Sequence, residues 1–261
     1  MSVQMLIGVD IGTQGTRAGI FDLDGACRAE AFQKSNLIQS APGVVEEDPE
    51  TQLHSVLHTI RQCLRDSKID PNSVAAVAID GQMAGIIGTG FDGRNVTPYD
   101  SWLDTRCAPY IEMMEKQVGD EVLRKCGGPP SFNHGPKILW WMHERPEVFR
   151  KIKAFVPPGS YAAMRLCGLK ASEAYIDRSY LHFSGFADNQ KSVWDPDLCR
   201  QFKLDMELLP KIVNSHTSIG EITPSMSRQC GLKPGTLVIA GCGDTAASFL
   251  SCGATREGIC V

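Results

Sequence analysis

The stretch that most constrains the fold is Leu6–Asp22, in which two apolar runs flank a turn rich in glycine and threonine. The first run ends in the acidic residue Asp10, and the turn follows over residues 12–16. Two β-prone runs separated by a glycine-containing turn are typical of a β-hairpin. This stretch therefore predicts an antiparallel pair of strands with a polar turn at one end.

The turn of this hairpin has the composition of a phosphate-binding loop. Glycines let a backbone approach an anion closely, and several N–H dipoles can converge on that anion. Asp10 lies at the mouth of the loop, where a carboxylate can hold a divalent cation, because hard cations prefer oxygen ligands. No Gly-Lys-Ser/Thr sequence follows, so the loop is not a P-loop. The alternative is an ordinary turn without a binding role.

A second acidic motif lies more than two hundred residues further along. Leu237–Ala240 is a short apolar run, and it leads into residues 241–248, which read GCGDTAAS. A buried strand that passes through glycines into small residues predicts that Asp244 lies at the start of a helix. There the carboxylate either caps backbone N–H groups or points into a cleft as a general base.

The two motifs in this order resemble those of the FGGY carbohydrate kinase family, and the resemblance covers most of the chain. It implies an α/β domain of the actin/hexokinase-like ATPase (ribonuclease H-like) fold, with a mixed sheet flanked by helices. It also implies transfer of the γ-phosphoryl group of ATP to a sugar or polyol hydroxyl. By this resemblance Asp10 holds Mg²⁺, directly or through water, and Asp244 is the catalytic base.

The same resemblance assigns the phosphate contacts to the hairpin turn. The residues that it implies next to the β- and γ-phosphates of ATP are Gly12, Thr13, Gly15, Thr16 and Arg17. Arg17 can make a bidentate contact with a phosphate, and its alternative role is a surface ion pair on the strand.

A third segment resembles a substrate-binding motif of the family. Val74–Ile79 is a continuous apolar run that predicts a central buried strand. It delivers Gln82 and Met83 at its carboxyl end, where open α/β sheets place ligands. Xylulokinases of the family have Gln-Met-His here and glycerol kinases have Gln-Arg-Glu, so Met83 fits the pentulose type and Ala84 fits neither. For Met83, packing in the core is the alternative.

Residues 99–106 contain the Trp, Asp and Arg that the family commonly shows at this point. Trp102 offers an apolar face to a sugar ring, and Asp104 and Arg106 offer groups that hydrogen-bond hydroxyls. The alternative for Asp104 is to cap the helix that follows. A later segment matches another family pattern loosely, and its Asp177 is the nearest equivalent of a substrate-binding Asn or Asp.

Patterns of caps, turns and apolar periodicity predict the other elements. They are a third strand near Cys27–Ala31, a helix that follows an Asp48 cap, and helical segments over Lys137–His143, Pro146–Phe155 and Ser160–Leu166. His54 and His58 are spaced like metal ligands, but no acidic third ligand is near, so we expect them to face solvent.

The composition excludes several classes of protein. The chain has 261 residues, of which 43% are hydrophobic, and its formal net charge of −4 gives no support for nucleic-acid binding. It contains neither an apolar run long enough for a membrane span nor a secretion signal. Its ten cysteines are scattered without a CxxC pair, which disfavours a zinc site and indicates reduced thiols in the cytoplasm.

Members of the family continue well beyond the point where this sequence ends. We therefore expect residues 1–261 to be the N-terminal, substrate-binding domain of such a kinase, with a mostly helical insertion at about 100–215. The C-terminal nucleotide-binding domain would be absent, and without its closure over the phosphates the piece would lack useful kinase activity. The predicted partner is a small sugar or polyol, with a ketose such as a pentulose favoured. The sequence leaves a homodimer open.

Two other functions stay open. A non-catalytic sugar sensor on the kinase fold would keep the core but lose the acids, so Asp10 and Asp244 disfavour it. A phosphohydrolase of the same superfold would share the phosphate loop. It would lack the two substrate motifs, over 82–84 and 102–106.

Overall fold

The computed structural model describes residues 4–256 and 258–259. Its strands are β1 Met5–Ile11, β2 Gly15–Asp22, β3 Cys27–Lys34, β4 Glu46–Glu47, β5 Val74–Gly81, β6 Ile87–Thr89, β7 Tyr99–Asp100, β8 Ala154–Val156, β9 Tyr175–Asp177, β10 Ala187–Asp188, β11 Val193–Trp194, β12 Lys211–Val213, β13 Ser218–Glu221 and β14 Leu237–Ile239. Its α-helices are α1 Pro49–Ser67, α2 Ala108–Cys126, α3 His134–Glu144, α4 Pro146–Phe149, α5 Pro158–Cys167, α6 Pro196–Gln201, α7 Pro224–Cys230 and α8 Asp244–Ser251.

A six-stranded mixed sheet organises the fold, with strand order β13-β14-β5-β1-β2-β3. Strands β1, β2 and β3 form an antiparallel meander, which confirms the predicted hairpin and third strand. Strand β5 lies in the middle and is parallel to both β1 and β14. The carboxyl ends of β1, β5 and β14 therefore meet at one edge, which is where the two acidic motifs emerge.

One face of the sheet is covered by α1 and α5. Helix α1 begins as predicted: the Asp48 carboxylate accepts from two backbone N–H groups, and Pro49 occupies the first helical position. Its apolar stripe, which includes Val56 and Ile60, is fully buried against the sheet. His54 and His58 lie on the exposed face of this helix, as expected.

The predicted helix over Pro146–Phe155 is wrong in its second half. Helix α4 ends at Phe149, and Ala154–Val156 forms β8, which pairs antiparallel with β6. The reason is local: β8 is a short, fully buried apolar run that precedes Pro157, and a residue before proline favours an extended backbone. The predicted helix over Ser160–Leu166 is confirmed as part of α5, which ends at a left-handed Gly168.

Beyond the sheet, a second apolar cluster is built mainly from α2, α3 and α6. It contains the edge-to-face pair Trp140 and Trp141 and the pair Phe186 and Phe202. The region of about 100–215 carries α2–α6 together with β8–β12, and its α5 belongs to the core of the sheet. Among the described residues, no helix combines the length and the apolar content that a bilayer span requires.

Candidate active site

Three carboxylates come together at the carboxyl edge of the sheet. Asp10 on β1 is the register partner of Asp80 on β5. Since successive strand residues point to opposite faces, both side chains face away from the core that Val9 and Ile79 fill. Beyond β14, Gly243 bridges to the end of β5, which brings Asp244 next to this pair. Residues at the two ends of the chain therefore meet at one place.

The electrostatics of the cluster reflect this proximity. Burial raises the pKa of Asp10, and the nearby charge of Asp244 raises it further, while Arg17 opposes the change. Burial and then the charge of Asp10 raise the pKa of Asp80 to about 7. Three acids with a single opposing arginine create a strongly negative site, which favours a bound cation.

Asp10 fits the cation role for a second reason. Its Oδ1 is buried and has no hydrogen-bond partner among the described residues, although a buried carboxylate oxygen normally has one. A divalent cation such as Mg²⁺ would satisfy that oxygen, because hard cations take oxygen ligands. Arg17, the cross-strand partner of Asp10, has an exposed side chain that lies 3.7 Å from Glu30, so the surface ion pair is present.

The turn over residues 12–15 engages the N–H groups of its two glycines within the turn itself. The N–H of Gly12 donates to the carbonyl of Gly15, and the N–H of Gly15 donates to the carbonyl of Gly12. Among the described residues, no hydrogen bond engages the N–H groups of Thr13 and Gln14 at the tip. The tip residues, rather than the two glycines, therefore offer free donors to an anion.

Thr16 and Gly15 are fixed by their contacts with α1 and β3. Thr16 is 3% exposed, and its hydroxyl lies 2.6 Å from the hydroxyl of Ser55 on α1. A Cβ on Gly15 would lie 2.4 Å from the carbonyl oxygen of Gln33, so glycine is required there by the close approach of β3. Thr16 therefore anchors the hairpin on α1, and Gly15 lets β3 pack; the predicted phosphate contacts of both residues stay predictions.

A cavity of about 440 Å³ contains three of the predicted site residues. Met83, Trp102 and Asp244 line it together, and Trp102 remains 45% exposed. The other lining residues are Ala84, Ser131, Phe132, Phe183 and Thr245. A carboxylate beside an aromatic face at the wall of an open cavity is an arrangement that can bind a sugar and accept a proton from its hydroxyl.

A second cavity, of about 450 Å³, lies on the open face of the sheet. Asp10, Asp80, Arg17 and Cys242 contribute to its lining. The carboxylates of the cluster therefore border two cavities. Asp244 lines the first, which we call the aromatic cavity after Trp102, Phe132 and Phe183. Asp10 and Asp80 line the second, which we call the sheet cavity.

The loop that carries Asp244 is held rigidly. Gly243 occupies the N-cap position of α8, so Asp244 is the first helical residue and its carboxylate accepts from the N–H of Thr245. Gly243 donates its N–H to the Ser179 hydroxyl, 2.8 Å away, and Tyr180 donates its hydroxyl to the carbonyl of Cys242. The general base predicted at residue 244 thus lies on a loop braced from a distant segment.

Asp177 is held by hydrogen bonds within the protein, and its predicted contact with substrate stays a prediction. Its side chain is 1% exposed; it accepts from the N–H of Ser179 and from the hydroxyl of Ser215. Asp177 therefore shapes the segment that holds the Asp244 loop, and it does not line the aromatic cavity.

Gln82 is likewise buried behind the cavity wall. Its amide donates to the Glu47 carboxylate at 3.1 Å, and its carbonyl oxygen accepts from the Thr13 hydroxyl at 3.2 Å. Its side chain is 1% exposed and supports the cavity wall from behind, and its predicted contact with substrate stays a prediction.

Asp104 and Arg106, both predicted to bind substrate hydroxyls, belong to an ion-pair network. The guanidinium of Arg106 lies 2.6 Å from Glu46 and 2.9 Å from both Asp100 and Asp104. The Asp104 carboxylate also accepts from the N–H of Val45. Although the three acids are close enough to share a metal ion, the arginine already supplies their counter-charge. Both residues therefore stabilise this region of the fold, and their predicted contact with substrate hydroxyls stays a prediction.

Asp80 and the aromatic pair Phe132 and Phe183 are site residues that the sequence reasoning missed. Asp80 follows directly after the apolar run of β5, and a residue at the carboxyl end of a central strand is a signal that could have identified it. The two phenylalanines carry no such signal, because Phe132 lies in the loop before α3, Phe183 ends a 3-10 helix, and only the tertiary fold brings them to the cavity.

Comparison with known proteins agrees with the family resemblance of the motifs. The model of the FGGY family of carbohydrate kinases, N-terminal domain, matches residues 5–251. The xylulose kinase of Bacillus subtilis is 28% identical over 262 residues, which cover 98% of this chain and 50% of that protein. The autoinducer-2 kinase of Klebsiella pneumoniae is 28% identical over 97% of this chain and 48% of its own length.

Solved structures show the same likeness. The xylulose kinase of Lactobacillus acidophilus superimposes with a TM-score of 0.88 at 26% identity, covering 97% of this chain and 50% of that one. The gluconate kinase of the same organism gives 0.86 at 27% identity, covering 95% and 49%. The chain thus spans about half the length of the relatives it matches. From its motifs, its fold and the family match over residues 5–251, the chain belongs to the FGGY family of carbohydrate kinases.

Proposed function

We propose that this chain is the N-terminal, substrate-binding part of a kinase that transfers the γ-phosphoryl group of ATP to a hydroxyl of a sugar or polyol. The observation that carries the proposal is the placement of Asp244. Its carboxylate lines the aromatic cavity together with Trp102 and Met83, and its charge also acts on Asp10. The Asp244 carboxylate therefore lines the space suited to a sugar and lies close enough to Asp10 for the two charges to interact.

In this proposal Asp244 accepts the proton of the attacking hydroxyl. A base must lie within hydrogen-bond reach of that proton, and the braced loop around Gly243 holds the carboxylate at the cavity wall. Trp102 stacks against the apolar face of the sugar, and Met83 contributes apolar surface to the same cavity wall. Met83 also supports the base, since a Cβ on Gly243 would lie 2.5 Å from its terminal methyl group.

Asp10 is the proposed holder of Mg²⁺, with Asp80 beside it. When bound, Mg²⁺ offsets the charge of the phosphates, and most of the catalysis of phosphoryl transfer is positioning and charge stabilisation. The chain's own contribution is to orient the Asp10 carboxylate, whose Oδ1 is buried without a partner. The N–H groups of Thr13 and Gln14 and the guanidinium of Arg17 are the proposed donors to the phosphates.

Support for a ketose substrate comes from the relatives and from Met83. Two of the similar proteins are named xylulose kinases, and Met83 matches the xylulokinase type of motif. Because the chain spans half of those relatives, we propose that a nucleotide-binding domain completes the enzyme. The described cysteines are free thiols, which supports the proposed cytoplasmic location.

The test is phosphorylation of a ketose panel with MgATP, measured for the 261-residue chain and for a polypeptide in which it is continued by a nucleotide-binding domain. We expect ketose-dependent ADP formation by the longer polypeptide and none by the chain alone. Steady turnover by the 261 residues alone would refute the proposal that a nucleotide-binding domain completes the enzyme. ADP formation that no sugar or polyol changes would refute the kinase assignment and favour a phosphohydrolase.

A further inference from the structure

The loop that leads to Asp244 runs directly over the end of β5. Gly241 has a φ of 71°, and a Cβ there would lie 1.9 Å from the carbonyl oxygen of Ile79. Two residues later, Gly243 bridges to Gly81 at the end of the strand. The place of the Asp244 carboxylate therefore depends on how closely this loop stays against β5.

Helix α8 does little to fix Asp244 from the other side. The helix contains no buried residue, and most of the stability of a helix in a protein comes from the packing of its apolar face. The hydrogen bond that the Asp244 carboxylate accepts from the N–H of Thr245 lies within the same first turn. The loop before the helix, rather than the helix itself, must therefore hold this carboxylate in place.

Tyr180 is the side chain that joins the loop to the strand. Its hydroxyl lies 3.0 Å from the carbonyl oxygen of Cys242 in the loop and 3.3 Å from that of Gly81 on β5. Ser179 also holds the loop, through the N–H of Gly243, but among the described side chains Tyr180 alone is hydrogen-bonded to both elements. The single proton of its hydroxyl faces two carbonyl groups, which places the loop and the strand end around one atom.

The Tyr180 side chain is itself held firmly. It is 2% exposed, and burial raises the pKa of its hydroxyl, so the hydroxyl stays protonated and remains a donor. Its ring stacks on the buried imidazole of His134, with 6.4 Å between the ring centres. Burial lowers the pKa of His134 to about 3, so this ring stays neutral near pH 7. The hydroxyl of Tyr180 is therefore presented to the loop from a fixed, buried position.

We propose that Tyr180 is a positioning residue for the general base: its hydroxyl holds the loop against β5 and thereby fixes the Asp244 carboxylate at the wall of the aromatic cavity. The inference rests on the proposed kinase function. Tyr180 lines neither the aromatic cavity nor the sheet cavity, so it acts through the loop and not on the sugar. Its effect on the rate can be large, because a misplacement of about 1 Å can cost about a hundredfold.

The test compares Tyr180→Phe with a matched control, Tyr175→Phe. Tyr175 is also 2% exposed, and its hydroxyl donates to the carbonyl of Ala240, 3.1 Å away at the end of β14. Each variant removes one buried hydroxyl that is bonded to a backbone carbonyl. Both should therefore lower the midpoint of urea unfolding by a similar amount, so that a difference in turnover reports on position and not on stability.

Turnover is measured in the longer polypeptide with MgATP and the ketose that the wild type phosphorylates fastest. We expect Tyr180→Phe to lower kcat by at least about tenfold, while the dissociation constant of the sugar changes far less. Tyr175→Phe should keep kcat near that of the wild type. Near-normal kcat in Tyr180→Phe, or an equal loss in the two variants, would overturn the positioning role.

A second measurement uses the 261-residue chain without any ligand. Release of the loop from β5 lets it open more often, so the amides of residues 242–247 should exchange with deuterium several-fold faster in Tyr180→Phe than in Tyr175→Phe. Equal exchange in the two variants would overturn the inference whatever reaction the enzyme catalyses. Failure of the wild-type longer polypeptide to form any sugar phosphate would instead refute the kinase assignment, and the catalytic part of this inference with it.

Discussion

The indole N–H of Trp102 donates a hydrogen bond of 2.9 Å to the hydroxyl of Thr13. Thr13 lies in the hairpin turn proposed to face phosphates, whereas Trp102 lines the cavity proposed to face the sugar. The same hydroxyl donates to Gln82, whose amide donates to the buried carboxylate of Glu47. The wall of the sugar cavity is therefore anchored on the phosphate loop through one hydroxyl.

The first prediction concerns this shared hydroxyl. Thr13→Val keeps the shape of the side chain but removes both hydrogen bonds, so Trp102 loses its anchor. We expect the affinity of the chain for its best-bound sugar to fall roughly three- to tenfold, the usual net effect of one lost hydrogen bond. Isothermal titration calorimetry measures the change. Thr13→Ser keeps the hydroxyl and should bind within about twofold of the wild type; equal binding by the valine variant would contradict the coupling.

The second prediction concerns the stability cost of Asp80. Its pKa of about 7 in the folded chain lies above the usual value of 3.8. The folded state thus binds more protons than the unfolded state between about pH 4 and pH 7, and stability falls as the pH rises through that window. Asp80→Asn removes this loss.

We expect Asp80→Asn to be more stable than the wild type by roughly 1–3 kcal/mol at pH 8, with the difference vanishing near pH 4. Urea unfolding at the two pH values, in buffer without divalent cations, measures it. A variant that is less stable than the wild type at pH 8 would show that the folded chain does not disfavour the ionised form of Asp80.

The third prediction concerns the ion-pair network around Arg106. Its guanidinium contacts three carboxylates and lies 4.4 Å from the centre of the Trp140 ring. Lysine cannot reproduce this planar, multiply bonded arrangement, so Arg106→Lys should lower the free energy of unfolding by roughly 2–4 kcal/mol. Arg94→Lys, at an exposed pair with 3.8 Å between Arg94 and Asp92, should change it by at most about 0.5 kcal/mol. Equal effects in urea denaturation would contradict the structural role.

The fourth prediction concerns the cation site. Asp10→Asn removes the charge but keeps the shape, so it should weaken the binding of MgATP to the longer polypeptide by at least about tenfold. Binding of ATP in the presence of EDTA should change far less, because the lost interaction is with the metal. Calorimetry with and without Mg²⁺ compares the two, and an unchanged Mg²⁺ dependence would argue against Asp10 as the metal holder.

The residues placed correctly from sequence are those tied to the ends of strands. Asp10 lies near the carboxyl end of β1, and Asp244 follows β14 after a short loop. Parallel strands end at a common edge, so the approach of the two residues could be predicted without coordinates. Met83 and Trp102 come from segments that resemble family motifs, and both line the cavity that Asp244 lines.

Other polar residues could not be assigned because their partners are remote in the sequence. Arg106 pairs with Glu46, and Asp177 accepts from Ser215. The sequence around a polar residue near a motif is the same whether its side chain faces a substrate or a neighbouring loop. Asp80 could have been identified from its place at the carboxyl end of a central strand, but its pairing with Asp10 depends on strand register, which the sequence does not state.

The most direct test of the account is the turnover of Asp244→Asn in the longer polypeptide, with the sugar that the wild type phosphorylates. Loss of the general base should lower kcat by about 10²–10⁴-fold, while the dissociation constant of the sugar changes far less. Asp24→Asn, which alters an exposed carboxylate in the turn after β2, should keep normal turnover. Near-normal kcat in the Asp244 variant would contradict the proposal that this residue accepts the proton of the sugar hydroxyl.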